Sequence, residues 1–340
     1  MQFVNLSYRG GVMKADLVNG YYKETLDEFE FESGETLKDV QIEYSISGTP
    51  KYDDEGNITN LIVICHKFNG NYSSIGNIFE LTKEGGPLDR NEYCFISITT
   101  LGFPESCCPS LTGLKHNFPK YTIKDRVNFK RRLLKEKYGI DHVHGVCGQG
   151  LGGYEVYTWG CEYPDEMDFL AIFNSSFKTN GYRYVVSKAV DSIIDSSDDF
   201  YNDVYSDSLS RIMVSVYRLI YSNFFSKQIF QDMSNDEIDV LMDYFVNEGL
   251  FVDVYDLKFR NDLVLNYDIE DKLGNIKAKT LIFAYPDDLY FSPELDTLPL
   301  KDAIENSTVI MVESNRDLSG FDDYSVLIDD VKDFLKNLDD

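Results

Sequence analysis

The stretch GVCGQGLGGYEVYTWGCEYP, residues 145–164, decides how the rest of the chain is read. A short apolar run, HVHGVC (142–147), leads into it and reads as a strand, and LGGYEVYTWGCEY (151–163) follows as a helix stopped by Pro164. Between them Gly148, Gly150, Gly152 and Gly153 crowd six residues. DFLAIFNSS (168–176) is again a strand, so the segment is a βαβ unit with a turn built mostly of glycine.

The same alternation extends outward. VQIEYSIS (40–47), LIVICH (61–66) and YCFISIT (93–99) read as strands. YTIKDRVNFKRRLLKEKYG (121–139) reads as a helix: Thr122 and Asp125 stand at capping-box spacing, Ile123, Val127, Leu133 and Leu134 form its apolar stripe, and Gly139 ends it. From about 180 to 260 strand runs vanish and apolar residues recur at helical spacing, as in SRIMVSVYRLIYSNFF and DEIDVLMDYFVNEGL. TLIFAY (280–285) and STVIMVES (307–314) restore strands, and SVLIDDVKDFLKNL (325–338) closes as an amphipathic helix. The pattern predicts an α/β fold with a mostly parallel central sheet flanked by helices. Its core is expected over 1–178 and 262–340, with a helical cap inserted over 179–261.

Charge narrows the function classes. The 340 residues carry 32 Lys and Arg against 58 Asp and Glu, a formal charge of −26 spread along the chain. Such a surface repels phosphate backbones and anionic membranes, so neither nucleic acid nor membrane is an expected partner. No apolar run approaches the ~18 residues of a spanning helix, and MQFVNLSYRGGVMKADL lacks the basic start and apolar run of a secretory signal; the expectation is a cytoplasmic protein. The six cysteines show no CxxC spacing, so neither a zinc site nor a disulfide framework is expected, and no metal.

Three readings of the glycine turn stand. It can be a tight βα connection without chemistry. Gly148, Gly150 and Gly153 formally satisfy GxGxxG, yet the strand that follows ends FNSS, without the acidic residue a dinucleotide ribose needs. The third reading is a nucleophile elbow, small-x-nucleophile-x-small, in which Gly148, Gly152 and Gly153 are the small residues and Gly150 occupies the nucleophile slot. Cys147 lies three residues before that slot and within the strand, where a thiol is buried. The four histidines, His66, His116, His142 and His144, all precede it, so none is available after the last strand, where such a fold takes its base.

FESGETLKDVQIEYSISGTP, LIVICHKFNGN, TTLGFPESCCPS, HNFPKYTIKDRVNFKRRLL and GVCGQGLGGYEVYTWGCEYPDEM, in that order and spacing, resemble the homoserine O-acetyltransferase family of α/β-hydrolases. The likeness covers residues 30–176 and, more weakly, 260–338 through NIKAKTLIFAYPDDLYFSPE. It implies the α/β-hydrolase fold and acyl transfer from acetyl-CoA to homoserine, with no bound cofactor. Its triad positions fall on Gly150 for the nucleophile, Asp288 for the acid and Asp317 for the histidine base. Its oxyanion donors fall on the backbone of Leu151 and Phe68, its loop histidine on His66, and its carboxylate-binding cap arginine on Arg218. Cys107 and Cys108 replace a Thr-Gly of the family pattern. The resemblance also implies a homodimer formed through the cap. With two triad positions replaced, the expectation is a pseudo-enzyme that binds a small molecule, either a homoserine-like amino acid or an acyl-CoA, or a partner. The alternatives are an acyltransferase or hydrolase working without a triad, and a structural subunit. An open cavity at Gly150 with Arg218 pointing in would favour ligand binding; a cavity plugged by aromatic side chains would favour a scaffold.

Overall fold

The computed structural model describes residues 6–9, 12–225, 227–312 and 324–338. A short antiparallel hairpin of β1 (Leu6–Arg9) and β2 (Val12–Ala15) precedes the main sheet. That sheet is built from β3 (Gly20–Glu30), β4 (Thr36–Gly48), β5 (Leu61–Cys65), β6 (Cys94–Ile98), β7 (Val143–Gln149), β8 (Met167–Phe173), β9 (Lys279–Ala284) and β10 (Ser307–Met311). Their order is β10-β9-β8-β7-β5-β6-β4-β3; the six strands from β10 to β6 run parallel, and β4 and β3 antiparallel. LIVIC in β5 and CFISI in β6 are buried at every position, as unbroken apolar runs covered on both faces must be. The expected mostly parallel sheet flanked by helices is therefore observed. The strand β3 went unseen in the sequence because GYYKETLDEFE interleaves charges with apolar residues, as an edge strand does.

Helix α1 (Ile123–Leu133) begins at the expected capping box: Thr122 Oγ1 accepts the Asp125 N–H at 3.1 Å and Asp125 Oδ2 accepts the Thr122 N–H at 2.8 Å. A wider turn over 134–138 carries the chain to Gly139, whose φ of 67° closes it. Helix α2 (Leu151–Glu162) packs beside α1 through an ion pair between Lys130 and Glu155 at 2.5 Å, both fully buried. Between β8 and β9 the chain leaves the sheet for α3 (Gly181–Asp195), α4 (Asp207–Ser222), α5 (Asn235–Leu250) and α6 (Val254–Leu265). These share an apolar core of their own that includes Val190, Met213, Val216, Phe245 and Leu257. The last of them runs past residue 262, across the boundary drawn from the sequence. Helix α7 (Ile328–Lys336) returns to the sheet, with Phe334 edge-on to Phe169.

The strand order fixes where a ligand can sit. From β5 the chain crosses to β6 on one side of it and then to β7 on the other, so the loops leaving the carboxyl ends of β5 and β7 stand side by side where Cys65 pairs with Gly148. This is the switch point at which open parallel sheets form a crevice.

Candidate functional site

The residue at the crest of the turn is Gly150, with φ 52° and ψ −117°, a conformation that L side chains rarely adopt. Its neighbours are glycines for another reason. A Cβ on Gly152 would lie 2.1 Å from the Cys65 carbonyl oxygen, one on Gly148 would lie 2.5 Å from the Gly152 oxygen, and one on Gly153 would lie 2.3 Å from Ser175 Oγ. These three let α2 press onto β5 and β8. A Cβ on Gly150 would meet nothing nearer than the Phe291 ring at 3.8 Å. Room for a side chain therefore exists at the one position where backbone conformation, and not crowding, favours glycine. The turn is held from behind, with the Gly150 N–H shared between the Phe173 and Asn174 carbonyls at 3.2 Å and Ser175 Oγ donating to the Gly150 carbonyl at 2.6 Å.

On the far side of the crevice is the loop after β5. His66 is buried, and burial holds its pKa well below the usual value, so the ring is neutral. Its Nε2 accepts the Thr100 N–H at 3.0 Å, which leaves Nδ1–H to donate to the Lys67 carbonyl at 2.9 Å. That bond fixes the peptide plane between Lys67 and Phe68, hence the direction of the Phe68 N–H. Arg260 of α6 fixes the next peptide: buried, stacked 3.8 Å from the Phe103 ring centroid, it donates to the Phe68 carbonyl at 3.0 Å. Leu151 N–H opens α2 and, as the first residue of a helix, has no acceptor within it.

Between these elements and the cap lies a cavity of about 520 Å³. Its floor is Phe68, Gly150, Leu151 and Asn174; its side is the loop after β9, with Asp288, Tyr290 and Phe291. Its roof is apolar and comes from the cap, chiefly Tyr221, Phe224 and Phe225 just after or at the end of α4 and Tyr244 and Phe245 of α5. Ten of the 21 lining residues are Phe or Tyr, and among the described residues the lining includes no Ser, Thr, Cys or His. The aromatic side chains thus line an open space and do not plug it.

Most expected site residues converge here: Gly150, Leu151, Phe68 and Asp288 all line the cavity. Asp288 caps its own loop, with Oδ1 accepting the N–H groups of Tyr290 and Phe291 at 2.8 Å each and Oδ2 accepting Asn174 Nδ2 at 2.7 Å. The expectation for Arg218 is corrected. It sits on α4 with its guanidinium turned outward to Asp243 at 3.3 Å, a half-exposed pair on the cap surface, because the face of α4 that meets the core is taken by Met213, Val216, Tyr217 and Ile220. Asp317 lies outside the described residues. Cys107, Cys108 and Cys147 are buried, and burial pushes each thiol up to about 12, away from the thiolate a nucleophile needs. The remaining histidines lie elsewhere, His116 against Asp203 and His142 and His144 against Asp168. Among the described residues no group of three or more His, Cys, Asp or Glu could hold a metal, and no helix is long and apolar enough to cross a membrane.

Three residues of the site were missed in the sequence. Asn174, at φ 48°, bridges the turn to Asp288; its place in FNSS after a strand, and the tolerance of Asn for positive φ, were the available signals. Arg183 of α3 pairs with Asp296 at 2.7 Å, both 1% exposed, and donates to the Tyr290 carbonyl at 2.7 Å, so it bolts the loop after β9 to the cap. Arg260 gave no local signal, since nothing in YDLKFRNDL separates a buried arginine from a surface one.

No family model matches the chain. A probable acyltransferase of Methanothermobacter thermautotrophicus is 36% identical over 302 residues, covering 89% of this chain and 92% of that protein. A homoserine O-acetyltransferase of Haloferax gibbonsii is 29% identical over 190 residues, and one of Methanosarcina acetivorans 34% over 155. These matches span 44% and 27% of the two acetyltransferases, less than half their length. Among solved structures, esterase E22 superimposes with a TM-score of 0.82 at 19% identity over 94% of this chain and 100% of its own. The homoserine O-acetyltransferase from Bacillus anthracis does so with 0.81 at 20% over 94% and 98%. At such identities the structural likeness speaks for the fold.

Proposed function

This chain belongs to the homoserine O-acetyltransferase family, with its α/β-hydrolase fold, and from that premise we propose that it has left the family's acyl-enzyme chemistry and acts by binding a small molecule non-covalently. The observation that carries the reading is Gly150 at the crest of the turn, above a lining that offers no hydroxyl, thiol or imidazole of Ser, Thr, Cys or His among the described residues. Without the elbow serine the family's acyl-enzyme has no hydroxyl on which to form, and without the imidazole the triad's general base is gone. Removing either group from a triad costs on the order of 10⁴–10⁶ in rate. The open aromatic cavity argues against the scaffold alternative.

A second reading is favoured by the fixed Phe68 loop and the free end of α2. A pair of backbone donors stabilises a tetrahedral oxyanion without any side chain, so an acceptor hydroxyl could attack a bound thioester directly, its proton passing to the departing thiolate. The name of the Methanothermobacter relative is consistent with that reading.

The test is release of free CoA thiol from acetyl-CoA in the presence of L-homoserine. The unmodified protein is expected to stay at the uncatalysed background. The double variant Gly150→Ser, Asp317→His is the comparison, with acetylation of the introduced serine read by intact mass. Homoserine-dependent thiol release by the unmodified protein would refute the non-covalent reading in favour of direct transfer.

A further inference from the structure

We propose that the cavity takes an uncharged, largely apolar molecule with one hydrogen-bond acceptor, such as an ester, lactone or ketone, its acceptor end at Gly150 and its body among the cap aromatics. This rests on the non-covalent reading above and adds the chemical class of the ligand.

The walls specify the body. Phe224 stands edge-on to Tyr290 with centroids 5.7 Å apart, and Phe225 stacks on Phe245 at 5.6 Å. These contacts order the rings before any ligand arrives, so flat apolar surface is offered at little further entropic cost. A volume of about 520 Å³ suits a molecule of drug size.

The charges favour a neutral molecule over a free carboxylate. Lys67 and Asp288 are the only Lys, Arg, Asp or Glu side chains on the described lining, so the lining is balanced near zero. The three arginines nearby are committed elsewhere: Arg218 to Asp243, Arg183 to Asp296, Arg260 to the Phe68 carbonyl. A carboxylate entering this space would lose its water for a single ammonium, Lys67, set against the Asp288 carboxylate and with no guanidinium fork, and a chain of formal charge −26 disfavours its approach.

Gly150 specifies the polar end. Where a serine side chain would stand, the nearest atom to a Cβ is 3.8 Å away, so a ligand oxygen fits in that space and meets the start of α2 directly. The helix end favours the negative pole of a carbonyl there.

The experiment is a fluorescence titration of the full chain with the neutral dye N-phenyl-1-naphthylamine at pH 7, followed by competition. One saturable site is expected, emptied by ethyl cinnamate, at least tenfold less well by cinnamate, and not by L-homoserine. Leu241 of α5 also lines the cavity, and Leu241→Trp, which fills that space, is expected to weaken dye binding at least tenfold with an unchanged melting temperature, and Arg218→Ala to leave it unaltered. Displacement by L-homoserine, better competition by cinnamate than by its ester, or dye binding indifferent to Leu241→Trp would each overturn the assignment. Chromatography of the ester after incubation separates the two claims: cleavage to cinnamate would overturn the non-catalytic reading while leaving the ligand class standing.

Discussion

Placing a serine at each of two glycines in the turn separates backbone strain from crowding. At Gly150 the side chain has space, with its Cβ 3.8 Å from Phe291, and the cost is conformational: φ 52° and ψ −117° is sparsely populated by L residues and carries about 1–3 kcal/mol. At Gly152 the Cβ would lie 2.1 Å from the Cys65 carbonyl oxygen and 2.7 Å from that of His66. Both are backbone atoms of the central strand end and cannot swing aside, so α2 would have to lift from β5, and the loss should exceed about 4 kcal/mol, the range reserved for disrupted cores. Urea unfolding followed by circular dichroism measures both. Gly150→Ser should unfold at a modestly lower midpoint with an unchanged slope; Gly152→Ser should be unfolded or nearly so in buffer. Equal losses at the two positions, or no loss for Gly150→Ser, would refute the account of why each glycine is there. The result bears on function as well, because the strain that an elbow nucleophile imposes is absent from this chain.

Two further outcomes follow from buried ionisable groups. Burial holds His66 neutral in the fold while its unfolded form titrates near 6.5, so its contribution is present above that pH and is lost as pH falls. A group that stayed unprotonated throughout would remove about 2 kcal/mol of stability by pH 5. Unfolding free energies measured from pH 7 to 5 should fall in the natural protein and fall less in His66→Gln; parallel profiles would refute the assignment. Arg183→Met should cost about 3–5 kcal/mol because it strands a buried Asp296 carboxylate, and adding Asp296→Leu should recover much of that loss. Additive losses in this double-mutant cycle would mean that the pair is not coupled.

The fold was legible where apolar runs are unmixed. β5 to β9 read directly because strands covered on both faces leave little place for polar residues, and α1 because Thr122 and Asp125 announce its start. β3 hid because an edge strand must carry charge. The expected boundary at residue 262 falls inside α6, which packs Leu257 into the cap and Leu263 and Val264 into the main core, so the sequence has no break there.

The site was legible only as far as its chemistry is local. Four glycines within six residues mark a tight turn: Gly148 and Gly152 stand where backbone meets backbone, Gly153 against the Ser175 side chain, and Gly150 where φ is positive. The orientation of Arg218 carries no such mark, because an arginine on an amphipathic helix can face either way until the partner surface is known; here Asp243 of α5 takes it outward. Arg183 and Arg260 were invisible for the converse reason. Their partners, Asp296 and the Phe68 carbonyl, lie 113 and 192 residues away in sequence, and only the closed fold brings them together. Both arginines are spent on fixing the frame of the cavity, Arg260 on the loop after β5 and Arg183 on the loop after β9. These two buried arginines thus order the walls of the cavity, while ten of its 21 described lining residues are Phe or Tyr, with Lys67 and Asp288 as its charged side chains.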